Sequence, residues 1–193
     1  MNFTVERGTG LEPHLEAIAR LRIEIFREWP YLYEGSVEYE RDYLADYVRC
    51  PQSAVVLAWD RGELVGASTS LPLAAADADF QAPFAQNGLD PERYFYLAES
   101  VLQRPYRGQG AGHRFFDARE AAARESGYTQ ATFCAVIRPD DHPARPAGYR
   151  PLDGFWRKRG YEPADGLVCH YHWPDLGEDG ETWKPLQFWW RSL

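Results

Sequence analysis

The stretch Tyr94-Phe-Tyr-Leu-Ala-Glu-Ser-Val-Leu-Gln-Arg-Pro-Tyr-Arg-Gly-Gln-Gly-Ala-Gly112 decides the fold. Its first part, Tyr94 to Leu102, is apolar and aromatic in the manner of a central strand, and its end opens a helix-like segment, Gln109 to Ser126. Between them lie Arg107, Gly108, Gln109, Gly110, Ala111 and Gly112. The glycines let the backbone turn tightly and leave amide groups uncovered by side chains. At a helix start those amides lack intrahelical partners, and the helix dipole adds about half a positive charge. A pyrophosphate fits such a place, although a glycine-rich helix entry with no ligand is the bland alternative.

Spacing narrows the type of cradle. A dinucleotide fingerprint requires a glycine where this chain has His113, and an acidic residue about 20 positions on that is missing. A P-loop requires Lys-Ser or Lys-Thr after its second glycine, where this chain reads Ala111-Gly-His-Arg114.

Outward from this segment, Phe3 to Arg7 reads as a strand, Leu11 to Trp29 as a helix stopped by Pro30, and Ser36 to Val48 as a second helix capped by Ser36. Ala54 to Trp59 and Glu63 to Leu73 form a hairpin around Asp60-Arg61-Gly62. Residues 74 to 93 read as a surface insertion with one short helix near 80 to 86. Gly127 stops the helix that follows the glycine turn. Thr129 to Ile137 is a strand parallel to Tyr94 to Leu102, joined by a right-handed crossover. A proline-rich loop, Arg138 to Pro151, leads to a short helix, Leu152 to Lys158, a strand, Leu167 to Trp173, and an edge strand, Trp183 to Arg191. The expected fold is mixed α/β (α+β), a central twisted sheet of about seven strands flanked by helices, in one domain spanning residues 1–193.

Charge sets further bounds. A net charge of −8 argues against a general nucleic-acid binder. Residues 104 to 124 nevertheless hold five arginines against Asp117 and Glu120, which suits a polyanion held at one spot, the alternative being a solvated helix face. Three widely spaced cysteines, Cys50, Cys134 and Cys169, suggest reduced core thiols. No long apolar run or signal pattern is present, so the expected location is cytoplasmic, with no membrane partner. His170 and His172 share a strand face but are too few for a metal site, so no metal is expected.

The pattern Arg107-x-x-Gly110-x-Gly112, five residues beyond Leu102, resembles the acetyl-CoA signature of the GNAT superfamily of N-acyltransferases. The order of elements is similar to that family's over most of the chain, and the specific motifs lie between Tyr94 and Tyr161. The resemblance implies acetyl-CoA as cosubstrate, its diphosphate on the amides from Arg107 through Gly108, Gln109, Gly110 and Ala111 to Gly112. It also implies a thioester lying beside Val101 and the Leu102 amide, between two splayed parallel strands.

Acetyl transfer to an amine requires loss of a proton and a stabilised oxyanion. Freeing a lysine-like amine at neutrality costs about 4.6 kcal/mol, so a base is useful. Alternation places Phe95, Leu97, Glu99 and Val101 on one strand face, which makes Glu99 a desolvated carboxylate with a raised pKa. In the family a glutamate eight residues before the motif arginine is a general base, and Glu99 holds that position; a structural Glu paired with an arginine is the alternative. The family's acid is a tyrosine where this chain has Trp156, beside the coenzyme, which cannot donate a useful proton. Tyr149 is the stand-in candidate, against a role as a packing aromatic or an unassisted thiolate departure.

Trp29, Tyr31 and Tyr33 lie where the family's first two helices border the acceptor, so they either shape that site or belong to the core. Phe188-Trp189-Trp190 either covers the core or forms a homodimer edge. The acidic surface favours a small cationic amine as the acceptor. A non-catalytic acyl-CoA sensor and a protein (lysine or N-terminal) acetyltransferase are the rivals.

Overall fold

The computed structural model describes residues 1–193. Strand β1 (Asn2–Glu6) is followed by a 3-10 turn, Gly8–His14, and by helices α1 (Leu15–Phe26) and α2 (Val37–Arg49). The long first helix expected from Leu11 is therefore shorter, because Pro13 sits in the tighter 3-10 segment. Ser36 caps α2 by accepting a hydrogen bond from the Tyr39 amide at 3.2 Å. Next come β2 (Val55–Asp60), β3 (Glu63–Ser68), β4 (Leu71–Pro72) and α3 (Ala78–Gln86), the helix of the insertion. Strands β5 (Tyr94–Tyr96) and β6 (Ser100–Leu102) precede α4 (Ala111–Glu125), β7 (Gln130–Val136), α5 (Asp153–Lys158), β8 (Glu162–Trp173) and β9 (Thr182–Ser192). No helix is long and apolar enough to cross a membrane.

The class is mixed α+β, but the strands form two sheets instead of one of about seven. Four run in the order β1-β2-β3-β6 and five in the order β4-β5-β7-β9-β8. The single strand expected over Tyr94 to Leu102 is broken at Leu97, Ala98 and Glu99. Its first half pairs in parallel with β7 and its second half antiparallel with β3. The strand expected over Glu63 to Leu73 breaks beside it, between Ser68 and Leu71, and β4 joins the other sheet.

This double break overturns the alternation assigned to Glu99. Phe95 and Leu97 pack toward α4 and α5 with Phe116 and Phe133, whereas Ala98 and Val101 belong to the core under α1 and α2. Ala98 and Glu99 therefore point the same way, a bulge that shifts side-chain parity by one, and Glu99 does not stand in the row of Phe95 and Leu97.

The last strand is also corrected. β9 runs between β7 and β8 and is not an edge. Its two faces are both covered: Phe188 is buried in the core with Phe84 and Tyr96, and Trp189 lies opposite, against Phe133 and Trp156. β8 starts at Glu162, earlier than expected, with an irregular register between Pro163 and Val168. Replacing Phe188 by Ala is expected to destabilise the chain by roughly 3–5 kcal/mol, read as a lower urea midpoint at unchanged slope.

Candidate active site

Gly108 and Gly110 adopt φ of 74° and 85°, and Gly110 forms the amino-terminal cap of α4 without any side-chain cap. A β-carbon on either would meet no atom, so both glycines are there for backbone conformation. Gly112 differs, because a β-carbon there would stand 3.4 Å from the Phe155 ring. A side chain that small would make only ordinary contact where α5 packs on α4. The five main-chain N–H groups from Gly108 to Gly112 donate no hydrogen bond within the protein. They form an uncapped, outward-facing set of donors at a helix start.

The arginines expected to surround this bend are mostly engaged elsewhere. Arg107 donates through Nε to the Leu102 carbonyl at 2.8 Å and forks onto Glu28 at 2.8 and 3.3 Å. Arg104 joins the same carboxylate at 2.9 Å. Gln109 turns inward to the Pro105 carbonyl. Arg119 is buried inside the fold, so the local surplus of positive charge is not a patch around the glycines.

From the bend a cleft of about 970 Å³ runs along the gap between β6 and β7. Its walls include Leu102, Glu99, Cys134, Trp156 and Tyr149. In β6 the main chain at Glu99 and Gln103 is bonded toward β3, through Thr69 N to Glu99 O and Gln103 N to Val65 O. Alternation then turns the amides of Ser100 and Leu102 toward the opening beside β7, where no strand pairs with β6.

Arg119 holds this break from beneath. Its Nη1 donates to the carbonyls of Thr69 and Glu99 at 3.2 and 3.4 Å, one on each broken strand. No carboxylate neutralises it, and burial pulls its pKa down to about 10.

Glu99 lies with its side chain 11% exposed, between α1 and α2. Arg22 of α1 forms an ion pair with Oε1, and Tyr43 of α2 donates to Oε2 at 3.0 Å. The same guanidinium pairs with the fully buried Glu40. The apolar surroundings expected for Glu99 are replaced by an ion-pair triad, in which the carboxylate has a cation beside it. Burial pushes the Tyr43 hydroxyl well above its usual range, so it stays a donor to Glu99 at neutral pH. This triad could not be read from the sequence, because Arg22 and Glu40 are separated from Glu99 by more than fifty residues; Arg22 on a helix face otherwise given to apolar residues was its one signal.

Trp156 packs against Phe133 and Trp189 at centroid separations of 5.0 and 5.1 Å and forms part of the cleft wall. Tyr149 also faces the cleft, edge-on to Trp29 at 5.9 Å, and burial raises its pKa above 10. Trp29 and Tyr31 line the cleft, but Tyr33 does not: it is buried in a smaller chamber of about 80 Å³ on the other side of Glu99. The connection that carries them is strapped by Arg138, which donates to the carbonyls of Pro30 and Tyr31 and forks onto Asp175. No group of three or more His, Cys, Asp or Glu is arranged to hold a metal.

An uncapped glycine bend opens into a cleft between splayed strands, a shape and a donor set able to receive an elongated ligand with a phosphorylated end. The sequence matches the acetyltransferase (GNAT) family over residues 16–161, and the chain belongs to that family of acyl-CoA-dependent acyltransferases. No curated protein sequence matches it. Among solved structures it is similar to a ribosomal-protein-alanine N-acetyltransferase from Brucella melitensis, at 17% identity and a TM-score of 0.64, covering 98% of this chain and 99% of that one. It is similar also to an aminoglycoside 6'-N-acetyltransferase complexed with coenzyme A, at 17% identity, a TM-score of 0.58 and coverages of 98% and 96%. A PaiA N-acetyltransferase from Thermoplasma acidophilum in complex with coenzyme A aligns at 13% identity and a TM-score of 0.58, over 100% of both chains. At these identities the likeness is one of fold.

Gly110→Val, which forces a branched side chain into a left-handed conformation, is expected to weaken coenzyme A binding at least about tenfold, measured by calorimetry.

Proposed function

We propose that the chain works in the cytoplasm as a single catalytic domain that moves an acetyl group from acetyl-CoA to a primary amine of a small cationic molecule, by direct attack in a ternary complex. The observation that carries this reading is the placement of Glu99 at the junction of the cleft and the chamber behind it. A carboxylate there meets both an acyl group held between β6 and β7 and an amine held on the side of α1 and α2.

Acetyl-CoA, when bound, supplies an acetyl thioester. The amides of Gly108 to Gly112 hold its diphosphate, and the open edge of β6 supports the pantetheine arm through Val101 and Leu102. The Leu102 amide donates to the thioester carbonyl and stabilises negative charge on that oxygen as the nitrogen attacks. Glu99 takes the proton from the acceptor ammonium, while Arg22 and Tyr43 fix the orientation of its carboxylate. The carbon–nitrogen bond forms, the carbon–sulfur bond breaks, Tyr149 gives its proton to the departing sulfur and is reprotonated as the new amide nitrogen sheds its second proton, and Glu99 returns the first proton to solvent. Trp29 and Tyr31 border the incoming amine.

Binding of an acyl-CoA without turnover is the second reading, favoured by Trp156 in place of a proton donor and by the pairing of Glu99 with Arg22. Free coenzyme A released from acetyl-CoA across a panel of amines separates the two. Glu99→Gln is expected to bind acetyl-CoA normally and to lose at least about tenfold in rate, most severely below pH 8; an unchanged rate at every pH removes Glu99 from the mechanism.

Tyr149→Phe is expected to lower kcat by about tenfold or more with little change in the KM for acetyl-CoA. Burial raises the Tyr149 pKa above the usual tyrosine value, so the donor stays protonated at neutral pH, and loss of rate through its ionisation is expected only on the strongly alkaline side.

A further inference from the structure

The cleft, the chamber and a third cavity adjoin one another in series. The chamber of about 80 Å³ shares Phe26, Tyr31, Ala98, Glu99 and Cys134 with the coenzyme cleft. On its other side it shares Tyr39, Tyr43, Phe80, Tyr96 and Tyr171 with an outer pocket of about 210 Å³ between α2 and α3. Charge differs along the series. The coenzyme cleft is lined by five arginines, Arg107, Arg119, Arg138, Arg145 and Arg150, together with the carboxylates of Glu28, Glu99, Asp140 and Asp153. The outer pocket is lined by Asp42, Asp46 and Asp77 and by no cationic side chain.

The chamber between them holds polar atoms that the fold leaves unsatisfied. Glu40 is fully buried; its Oε2 accepts from Arg22, but its Oε1 has no hydrogen-bond partner. The Tyr33 hydroxyl, on a residue only 7% exposed, lies near this carboxylate without a formed hydrogen bond. One guanidinium, that of Arg22, serves the two carboxyl groups of Glu40 and Glu99, so the second acid has no cation of its own. A buried acceptor without a donor costs about 1–3 kcal/mol, and aromatic faces with an unmatched carboxylate are the chemistry that holds an ammonium.

We propose that the acceptor carries a second cation beyond the amine that is acetylated, as in a linear diamine, and that Glu40 and Tyr33 take this distal ammonium while the reactive nitrogen meets Glu99. The proposal rests on the acetyltransferase reading above and narrows its acceptor class. A distal cation supplies Glu40 Oε1 with the donor it lacks and gives the pair of acids a second cation beside Arg22. Tyr39, Phe80 and Tyr171 present ring surface to the methylene chain. The aspartates of the outer pocket bias approach from that side, away from the end where the coenzyme diphosphate is held.

The test compares two acceptors of equal length, 1,4-diaminobutane and 4-aminobutan-1-ol, by release of free coenzyme A from acetyl-CoA at neutral pH. The diamine is expected to exceed the amino alcohol in kcat/KM by about thirtyfold, the factor of one charge-assisted contact. In Glu40→Gln this ratio should fall by about tenfold or more, and in Tyr33→Phe by about threefold. Asp42→Asn, an exposed position that leaves folding intact, should lower the ratio by about twofold and serves if Glu40→Gln does not fold. Acetylation of both compounds with a ratio near one, or a ratio unmoved by the variants, overturns the diamine assignment and leaves the acetyltransferase standing. Acetyl-CoA left intact by every amine overturns both.

Discussion

Main-chain polar groups that leave a sheet must find other partners, and that constraint organises this molecule. Two neighbouring strands break side by side, at Ser68–Leu71 and Leu97–Ser100, and their halves go to different sheets. The carbonyls exposed by the rupture are taken up by Arg119, which reaches from α4 to Thr69 and Glu99 without any carboxylate to balance it. A guanidinium suits this place because its forked donors match several carbonyls at once. The buried charge is tolerated because the oxygens around it are all acceptors. Through this arrangement β6 parts from β7, the cleft opens, and the bulge at Ala98 and Glu99 turns the glutamate toward α1.

The same break separates two electrostatic regions. On one side lie the uncapped amides of the glycine bend and a cleft wall of mixed charge; on the other lie the carboxyl groups of Glu40 and the outer aspartates, with Glu99 at the boundary. Arg22 sits between them and keeps two glutamates close together that would otherwise repel. Beside the glycine bend, Arg104 and Arg107 share the single carboxylate of Glu28.

Much of this is legible in the sequence. The glycine turn, the parallel pairing of the strands on either side of α4, the hairpin at Asp60 to Gly62 and the helix inside the insertion all follow from local chemistry that the chain carries in short windows. Periodicity registers side-chain parity but not the partner of a strand, so two halves that pair with different sheets read as one strand. The parity shift at Ala98 was invisible for the same reason, and with it the true surroundings of Glu99. β9 looked like an edge because Phe188, Trp189 and Trp190 fill both faces of a strand; layers on both sides are what such a run requires. The ion pairs of Arg22, Arg119 and Arg138 span distant parts of the chain, and no local pattern announces them.

The connection from Trp29 to Tyr33 is held at one end by Glu28, on Arg104 and Arg107, and at the other by Arg138 and its fork to Asp175. Loops that border a ligand commonly lose conformational freedom when the ligand arrives, and that loss weakens binding. Here the ordering is completed when the chain folds. This wall of the cleft is thus fixed by the chain's own ion pairs and main-chain contacts, with no segment left to be arranged by whatever enters.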